Sequence, residues 1–209
     1  NEIKQIESLE SFFNLPLKQG LGALLLKCLA HPNIASKDDI IRQYDHEVQG
    51  RTVQGPFAGK NQGPQNGIVL LPRYDSDQGV VLAVGFNPLH SIDPYRMAAN
   101  SIDEAIRNVV ASGGDPAKIS LLDNFIWGDT SDPSVLGGLV EAAKACRDIA
   151  IGFNAPFISG KDSLNNTFID TRGERQSINP SLIISAMTLI HNVRNLLTSD
   201  FKSTGDSIY

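Results

Sequence analysis

Apolar residues recur in this chain with two spacings, one typical of strands and the other typical of helices. Short apolar runs bounded by polar turns predict strands at residues 67–71, 80–86, 119–125, 157–159 and 182–190. A stretch rich in glycine, proline and amide side chains at residues 50–67 predicts a loop around one further short strand at residues 52–53.

Helical spacing of apolar residues predicts two long helices that begin in the same way. Asp93 precedes Pro94, and Asp132 precedes Pro133. An aspartate can cap the free N–H groups of a first turn, and proline is tolerated there because its missing N–H would be unpaired in any case. Glycines follow both apolar stripes, so we expect the helices to end there and to pack on the sheet.

The two ends of the chain predict smaller elements. Residues 17–30 have the spacing of a helix, and a short helix is expected from Ser36, whose hydroxyl can cap it. Residues 200–209 are typical of a linker that enters a new strand at residues 207–209. We therefore divide the chain into an N-terminal helical segment or linker (1–35), an α/β domain (36–195) and a linker into a further domain (196–209).

Helices and strands alternate in an order that predicts a mixed α/β (α+β) fold with a sheet that is not wholly parallel. The formal net charge is −5 and no cluster of Lys and Arg stands out, which argues against a nucleic-acid partner. No stretch approaches the ~20 apolar residues needed to cross a membrane.

Cys28 and Cys146 lie in apolar helical patterns and are predicted to be buried thiols, as expected in the reducing cytoplasm. The chain starts at Asn1 without an initiator Met or a signal peptide, which suggests a piece of a longer protein.

The stretch from Gly160 to Ser163 has the strongest chemical character in the sequence. An apolar strand stops at Gly160 and is followed at once by Lys161, Asp162 and Ser163. Glycine allows close approach to a backbone, while a cation, an acid and a hydroxyl can bind a phosphate or a metal. Taken alone, the tetrapeptide is better explained by a polar turn after a strand, and the surrounding sequence is what favours a binding site.

Three other polar segments lie beside predicted elements. Asp123 ends a strongly apolar strand, where an unpaired carboxylate is costly, so we expect it to have a partner such as a metal, a ribose or adenine group, or backbone amides. Residues 44–50 place Asp, His and Glu together, either as a site or as a solvated surface. In residues 87–94, helix capping fully accounts for Asp93. Walker-type and Gly-x-Gly-x-x-Gly phosphate loops are absent from the sequence, as is a Gly-x-Ser-x-Gly elbow.

These segments together resemble the phosphoribosylformylglycinamidine synthase family (PurL, FGAM synthase). The resemblance covers roughly residues 15–209 and is carried, in order, by residues 42–50, 92–95, 105–111, 113–116, 121–128 and 156–164. It implies the fold of the aminoimidazole-ribonucleotide-synthetase-like superfamily, namely an N-terminal-type domain with a mixed, mostly antiparallel sheet covered by helices. The chain is similar to that domain of the second of two modules in the family.

The resemblance also implies an activity. The family is a C–N ligase that converts formylglycinamide ribonucleotide to its amidine in purine biosynthesis, using ATP, Mg²⁺ and ammonia from glutamine. The implied partners are therefore ATP, formylglycinamide ribonucleotide, a glutaminase domain or subunit, and the rest of the same polypeptide. The family's His-Asn-His-Pro segment does not occur here, so no catalytic residue is expected in this chain, which alone should be inactive.

Residue by residue, the resemblance implies a set of ligand contacts. Asp123 matches an ATP contact, Gly160 a phosphate-side backbone contact, and Ser163 a substrate or nucleotide contact. Lys161 stands where many shorter relatives have a metal-binding Asn, and a protonated lysine cannot bind a metal. Either Asp162 binds Mg²⁺ instead, which we favour, or Lys161 replaces the charge of the ion.

Two other functions are compared with this one. The chain could be a structural module with a non-catalytic nucleotide site. It could also be a member of the same superfamily acting on another substrate, such as a selenophosphate or thiamine-phosphate kinase, although residues 44–50 and 160–163 count against this. If its sheet normally pairs with another module, we expect the isolated chain to form a homodimer or to be poorly soluble. The sequence does not decide whether Arg107 and Asn108 face a site or solvent.

Overall fold

A computed structural model describes residues 20–88 and 92–207 of the chain. The chain divides into two compact units, and the boundary in the sequence lies between Asp45 and His46. The predicted elements at residues 17–19 and 208–209 lie outside the described residues.

In the described part of the first unit, residues 20–45, there are two helices, α1 (Gly20–Leu29) and α2 (Asp38–Ile41). The expected cap of α2 is shifted by one residue. Lys37 occupies the N-cap position and makes no capping hydrogen bond through its side chain. The Ser36 hydroxyl still accepts a hydrogen bond from the backbone N–H of Asp38, at 3.1 Å.

The second unit holds the sheet and two long helices. Its strands are β1 (Thr52–Gln54), β2 (Phe57–Ala58), β3 (Gly63–Pro64), β4 (Gly67–Leu70), β5 (Gly79–Phe86), β6 (Ser120–Ile126), β7 (Phe157–Ser163), β8 (Thr167–Ile169), β9 (Arg175–Ser177) and β10 (Ser181–Ile190). The helices are α3 (Pro94–Ala111) and α4 (Pro133–Phe153). Both begin as predicted, because the carboxylates of Asp93 and Asp132 accept hydrogen bonds from backbone N–H groups of the first turn.

Six strands form the main sheet in the order β1-β4-β5-β10-β6-β7. Every neighbouring pair is antiparallel except β6 and β7, which are parallel and are connected through α4. The predicted mixed α/β fold with a mostly antiparallel sheet is therefore confirmed. β2 pairs with β3, and β8 with β9, in two separate small hairpins.

One face of the sheet is covered by helices, and the core lies between them. Buried side chains alternate along the strands and meet the apolar stripe of α3. β5 and α3 approach each other closely at Gly85, since a Cβ there would lie 2.7 Å from the backbone N of Ala105 in α3. Trp127 is fully buried and donates its indole N–H to the carbonyl of Val135 in the first turn of α4. The largest buried side chains of this core are Trp127, Met97, Ile102, Leu121, Leu182 and Ile184.

The opposite face of the sheet carries exposed apolar side chains. Val84 and Phe86 of β5 are 49% and 44% exposed, and Leu189 of β10 is 44% exposed. They alternate with buried residues of the same strands, so they point away from the helices. We call this surface the open face of the sheet.

Candidate functional site

The parallel pair β6 and β7 brings the predicted site residues to one edge of the sheet. Asp123 of β6 stands directly opposite Gly160 of β7, and Asn124 stands opposite Lys161. Parallel neighbours at the same register point their side chains to the same face. The six-stranded sheet ends at β7, so Gly160, Lys161 and Asp162 are exposed, whereas Asp123 and Asn124 of β6 are half-buried.

The prediction that the strand stops at Gly160 is wrong. β7 continues through Gly160, Lys161 and Asp162 to Ser163, and it pairs with β6 along this length. The polarity of Lys161, Asp162 and Ser163 favours a turn over a strand in the sequence, because an interior strand would bury these side chains. An edge strand that is exposed on both faces can carry polar side chains at no such cost.

The strand geometry divides the predicted site residues between two faces. Asp123, Gly160 and Asp162 point to the helix-covered face, whereas Lys161 and Ser163 point to the open face. The Lys161 Nζ donates a hydrogen bond to the Ser163 Oγ at 2.9 Å, which agrees with a shared face. The tetrapeptide is therefore not one cluster but two small groups of opposite charge.

The helix-side group is strongly acidic. A Cβ at position 160 would lie 2.6 Å from the Asp123 Oδ2 and 2.5 Å from its Cγ, so the Asp123 carboxylate occupies the space above Gly160. Partial burial and, to a smaller extent, the charge of Asp162 raise the pKa of Asp123 above its ordinary value, although a hydrogen bond from the Lys161 backbone N–H opposes this. Two carboxylates held side by side favour a cation or a hydrogen-bond donor as ligand.

Cys146 of α4 lies beneath this group, as predicted for a buried thiol. Burial, together with the charge of Asp123, raises the pKa of Cys146 to about 12. A neutral, buried thiol adds to the apolar surroundings of the Asp123 carboxylate, and such surroundings disfavour its charged form.

The open-face group is cationic and polar. Lys161 and Ser163 lie beside Asn124, whose Oδ1 is buried without a hydrogen-bond partner among the described residues. An ammonium group and a hydroxyl on an exposed edge can contact an anion such as a phosphate.

A second concave region lies beside the end of β5. It is a cavity of about 480 Å³ lined by Phe86, Asn87, Pro88, Asn100, Asp103, Glu104, Arg107 and Asn108. The Glu104 carboxylate accepts a hydrogen bond from the Phe86 N–H at 2.8 Å, and the Asn108 amide donates one to the Val84 carbonyl at 3.0 Å. β4 starts only opposite Ala83, so these two side chains satisfy backbone groups that it leaves free.

Arg107 and Asn108, whose orientation the sequence left open, both line this cavity. The Arg107 side chain is also 76% exposed, and it pairs with Asp103 at 2.6 Å. Sequence reasoning did not single out Glu104, although its four-residue spacing from Asn108 places the two on one helix face.

The predicted titratable segment at residues 44–50 is split between the two compact units after Asp45. His46 precedes β1, and its carbonyl accepts a hydrogen bond from the Thr52 hydroxyl at 2.6 Å. β1 and β6 are four strand positions apart, or about 19 Å at the usual spacing of strands. Within this unit, therefore, the start of β1 is remote from Asp123.

Within residues 20–88 and 92–207, no three His, Cys, Asp or Glu side chains are grouped closely enough to hold a metal ion by themselves. None of the described helices combines the length and apolar character required to cross a membrane.

Comparisons with known proteins bear on the whole chain. Residues 65–190 match the family model described as AIR synthase related protein, N-terminal domain. The chain is 31% identical over 211 residues to phosphoribosylformylglycinamidine synthase subunit PurL of Thermoplasma volcanium, which covers 100% of this chain and 27% of the relative. It is 38% identical over 185 residues to the same subunit of Methanothermobacter thermautotrophicus, which covers 88% of this chain and 24% of the relative. The chain thus spans about a quarter of the length of these relatives.

Solved structures are similar in fold. PurLQS from Thermotoga maritima has a TM-score of 0.62 at 24% identity, over 79% of this chain and 25% of that one. T. maritima PurL complexed with ADP has a TM-score of 0.58 at 25% identity, over 78% of this chain and 25% of that one. T. maritima PurL complexed with FGAR has a TM-score of 0.60 at 23% identity, over 78% and 24%.

Proposed function

We propose a function from the family of this chain, which belongs to the AIR synthase related proteins because residues 65–190 match the N-terminal domain of that family. The chain would contribute ATP and Mg²⁺ contacts to a phosphoribosylformylglycinamidine synthase. That enzyme would form the amidine of formylglycinamide ribonucleotide with ammonia from a glutaminase domain or subunit, in the cytoplasm. The observation that carries the proposal is the parallel pairing of β6 with β7 in a chain similar along its length to PurL subunits. This pairing gives one edge of the sheet an acidic face and a cationic face.

Each face suits a different part of Mg-ATP. The acidic face, formed by Asp123 and Asp162, suits a hydrogen-bond donor such as the adenine amine, or a divalent cation. The cationic face, formed by Lys161 and Ser163, suits a phosphate group. The proposed role for these residues is electrostatic and positional, and phosphoryl transfer to the substrate amide needs such groups more than it needs a nucleophile.

Lys161 and Asp162 point to opposite faces of the sheet, and this affects which of them can take the place of the metal-binding Asn that the family resemblance implies at position 161. Asp162 points away from Ser163, so it can bind Mg²⁺ only where the cation also meets the Asp123 side of the strand. On the Ser163 side, the positive charge is that of the Lys161 ammonium. Two carboxylate groups are hard oxygen ligands that fit Mg²⁺, provided that water or phosphate completes its coordination.

A structural role is the second candidate, favoured by the open face of the sheet. Val84, Phe86 and Leu189 are large apolar side chains that remain 44–49% exposed there. Contiguous exposed apolar surface marks interaction sites, and Val84 and Phe86, two residues apart on β5, would lie at the centre of such a patch. Its partner would be another module of the same polypeptide, or a second copy when the chain is alone.

Calorimetric titration of the chain with Mg-ATP and with Mg-ADP tests the nucleotide site. We expect Asp123→Ala and Lys161→Ala each to weaken binding at least tenfold, because each removes a charge from one face. Asp75→Ala is the matched control, since Asp75 is exposed and forms its ion pair with Arg73 away from β7. Wild-type affinity for both nucleotides in Asp123→Ala and in Lys161→Ala would refute the assignment of the nucleotide site.

Sedimentation velocity separates the two candidate functions. A chain that pairs through the open face should dimerise with rising concentration, and Phe86→Lys should restore the monomer. Tight ADP binding without turnover, joined to dimerisation, would favour the structural role. A monomer at high concentration would count against it.

A further inference from the structure

We infer that Gly160 is a positioning residue for Asp123, and that its missing side chain makes the space in which the Asp123 carboxylate is held for its ligand. The inference rests on the proposed function, because it assigns a purpose to the same edge of the sheet. It differs from a direct role for Gly160, in which the backbone itself approaches a phosphate.

The distances carry this inference. A Cβ at position 160 would lie within 2.6 Å of three atoms of the Asp123 carboxyl group, closer than real Cβ contacts come. These carboxyl atoms are also the nearest neighbours of that position. Any side chain at 160 would therefore force the carboxylate to move.

A left-handed backbone does not account for the glycine at this position. The φ angle of Gly160 is not positive, so the backbone conformation is open to any residue.

Two further groups bound the same carboxylate. The backbone N–H of Lys161 favours the charged form of Asp123, and the charge of Asp123 in turn acts on the buried Cys146 thiol. Gly160, the Lys161 N–H and Cys146 are therefore neighbours of the Asp123 carboxylate. A carboxylate held in this way presents its remaining oxygen lone pairs in a fixed direction, which suits an amine donor or a divalent cation.

The test measures the position of Asp123 separately from ligand binding. Crystal structures of the wild type, of Gly160→Ala and of Gly152→Ala locate the Asp123 carboxyl group. Gly152 is a matched control because a Cβ there would meet nothing within 4 Å. We expect the carboxyl group to be displaced in Gly160→Ala, where the new Cβ would lie within 2.6 Å of it, and to be unmoved in Gly152→Ala. We expect Mg-ATP affinity to fall at least tenfold in Gly160→Ala alone.

Each outcome bears on the inference. An Asp123 carboxyl group in its wild-type position in Gly160→Ala would overturn it, whatever happens to nucleotide binding. A displaced carboxyl group in a chain that binds no Mg-ATP even as the wild type would uphold the positioning and refute the proposed nucleotide site. If Gly160→Ala does not fold, the double variant Asp123→Ala/Gly160→Ala decides: recovery of folding supports the steric conflict, and continued failure refutes it.

Discussion

Gly59→Ala is expected to detach a short segment that we call the strap, residues 198–202. The strap contacts the β2–β3 hairpin, where the Ser199 backbone N–H donates to the Gln65 Oε1 at 3.0 Å and the Gln65 Nε2 donates to the Ser199 Oγ at 2.8 Å. The Asp200 carboxylate covers Gly59, and a Cβ at 59 would lie 2.6 Å from the Asp200 Cγ. These contacts join parts of the chain that are 134 residues apart in sequence.

The size of the effect follows from two terms. Gly59 has a φ of +77°, so alanine there costs about 1–2 kcal/mol of backbone strain. Displacing Asp200 then removes the paired Gln65–Ser199 hydrogen bonds, at about 0.5–1.5 kcal/mol each. Since both bonds are exposed, we expect their joint contribution to be near 1 kcal/mol.

Gly50→Ala is the matched control for this experiment. Gly50 also has a positive φ, +61°, but a Cβ there would meet nothing within 4 Å. Both variants therefore carry the strain, and only Gly59→Ala disturbs the strap. Urea unfolding should show Gly59→Ala to be less stable than Gly50→Ala by about 1 kcal/mol, with faster hydrogen exchange in the β2–β3 hairpin. Equal loss of stability and equal exchange in the two variants would refute the reasoning.

Three further predictions concern the sheet and the site. Gly85→Ala should destabilise the chain by about 3 kcal/mol or more, because its Cβ would meet the backbone of α3, and urea unfolding would measure this. Gly137→Ala, whose Cβ would meet nothing within 4 Å, should instead stabilise α4 by about 0.5–1 kcal/mol in the same assay. Asp123→Asn should be more stable than the wild type at pH 7 and equal to it near pH 3. The raised pKa of Asp123 means that its protonated form is favoured in the folded chain, and this contribution is lost as the pH rises through that pKa. A stability difference that does not vary with pH would contradict this.

Sequence reasoning was accurate where local interactions decide the structure. The starts of α3 and α4 follow from Asp93-Pro94 and Asp132-Pro133, because capping and proline act within one turn. It was wrong about the end of β7, because the polarity of residues 160–163 was read as a turn. Whether a strand lies at an edge depends on its neighbours in space, which a local pattern does not contain.

The sequence by itself determined the mixed α/β class, the bounds of the long helices to within a few residues, and the chemical character of Asp123 and of residues 160–163. Only the tertiary structure decided how these residues are arranged. The order of strands places β1 and β7 at opposite edges of the sheet, and the register of β6 against β7 puts Asp123 over Gly160. The alternation of side chains then sends Lys161 and Asp162 to different faces. Register and strand order arise from contacts between distant parts of the chain, so no local pattern specifies them.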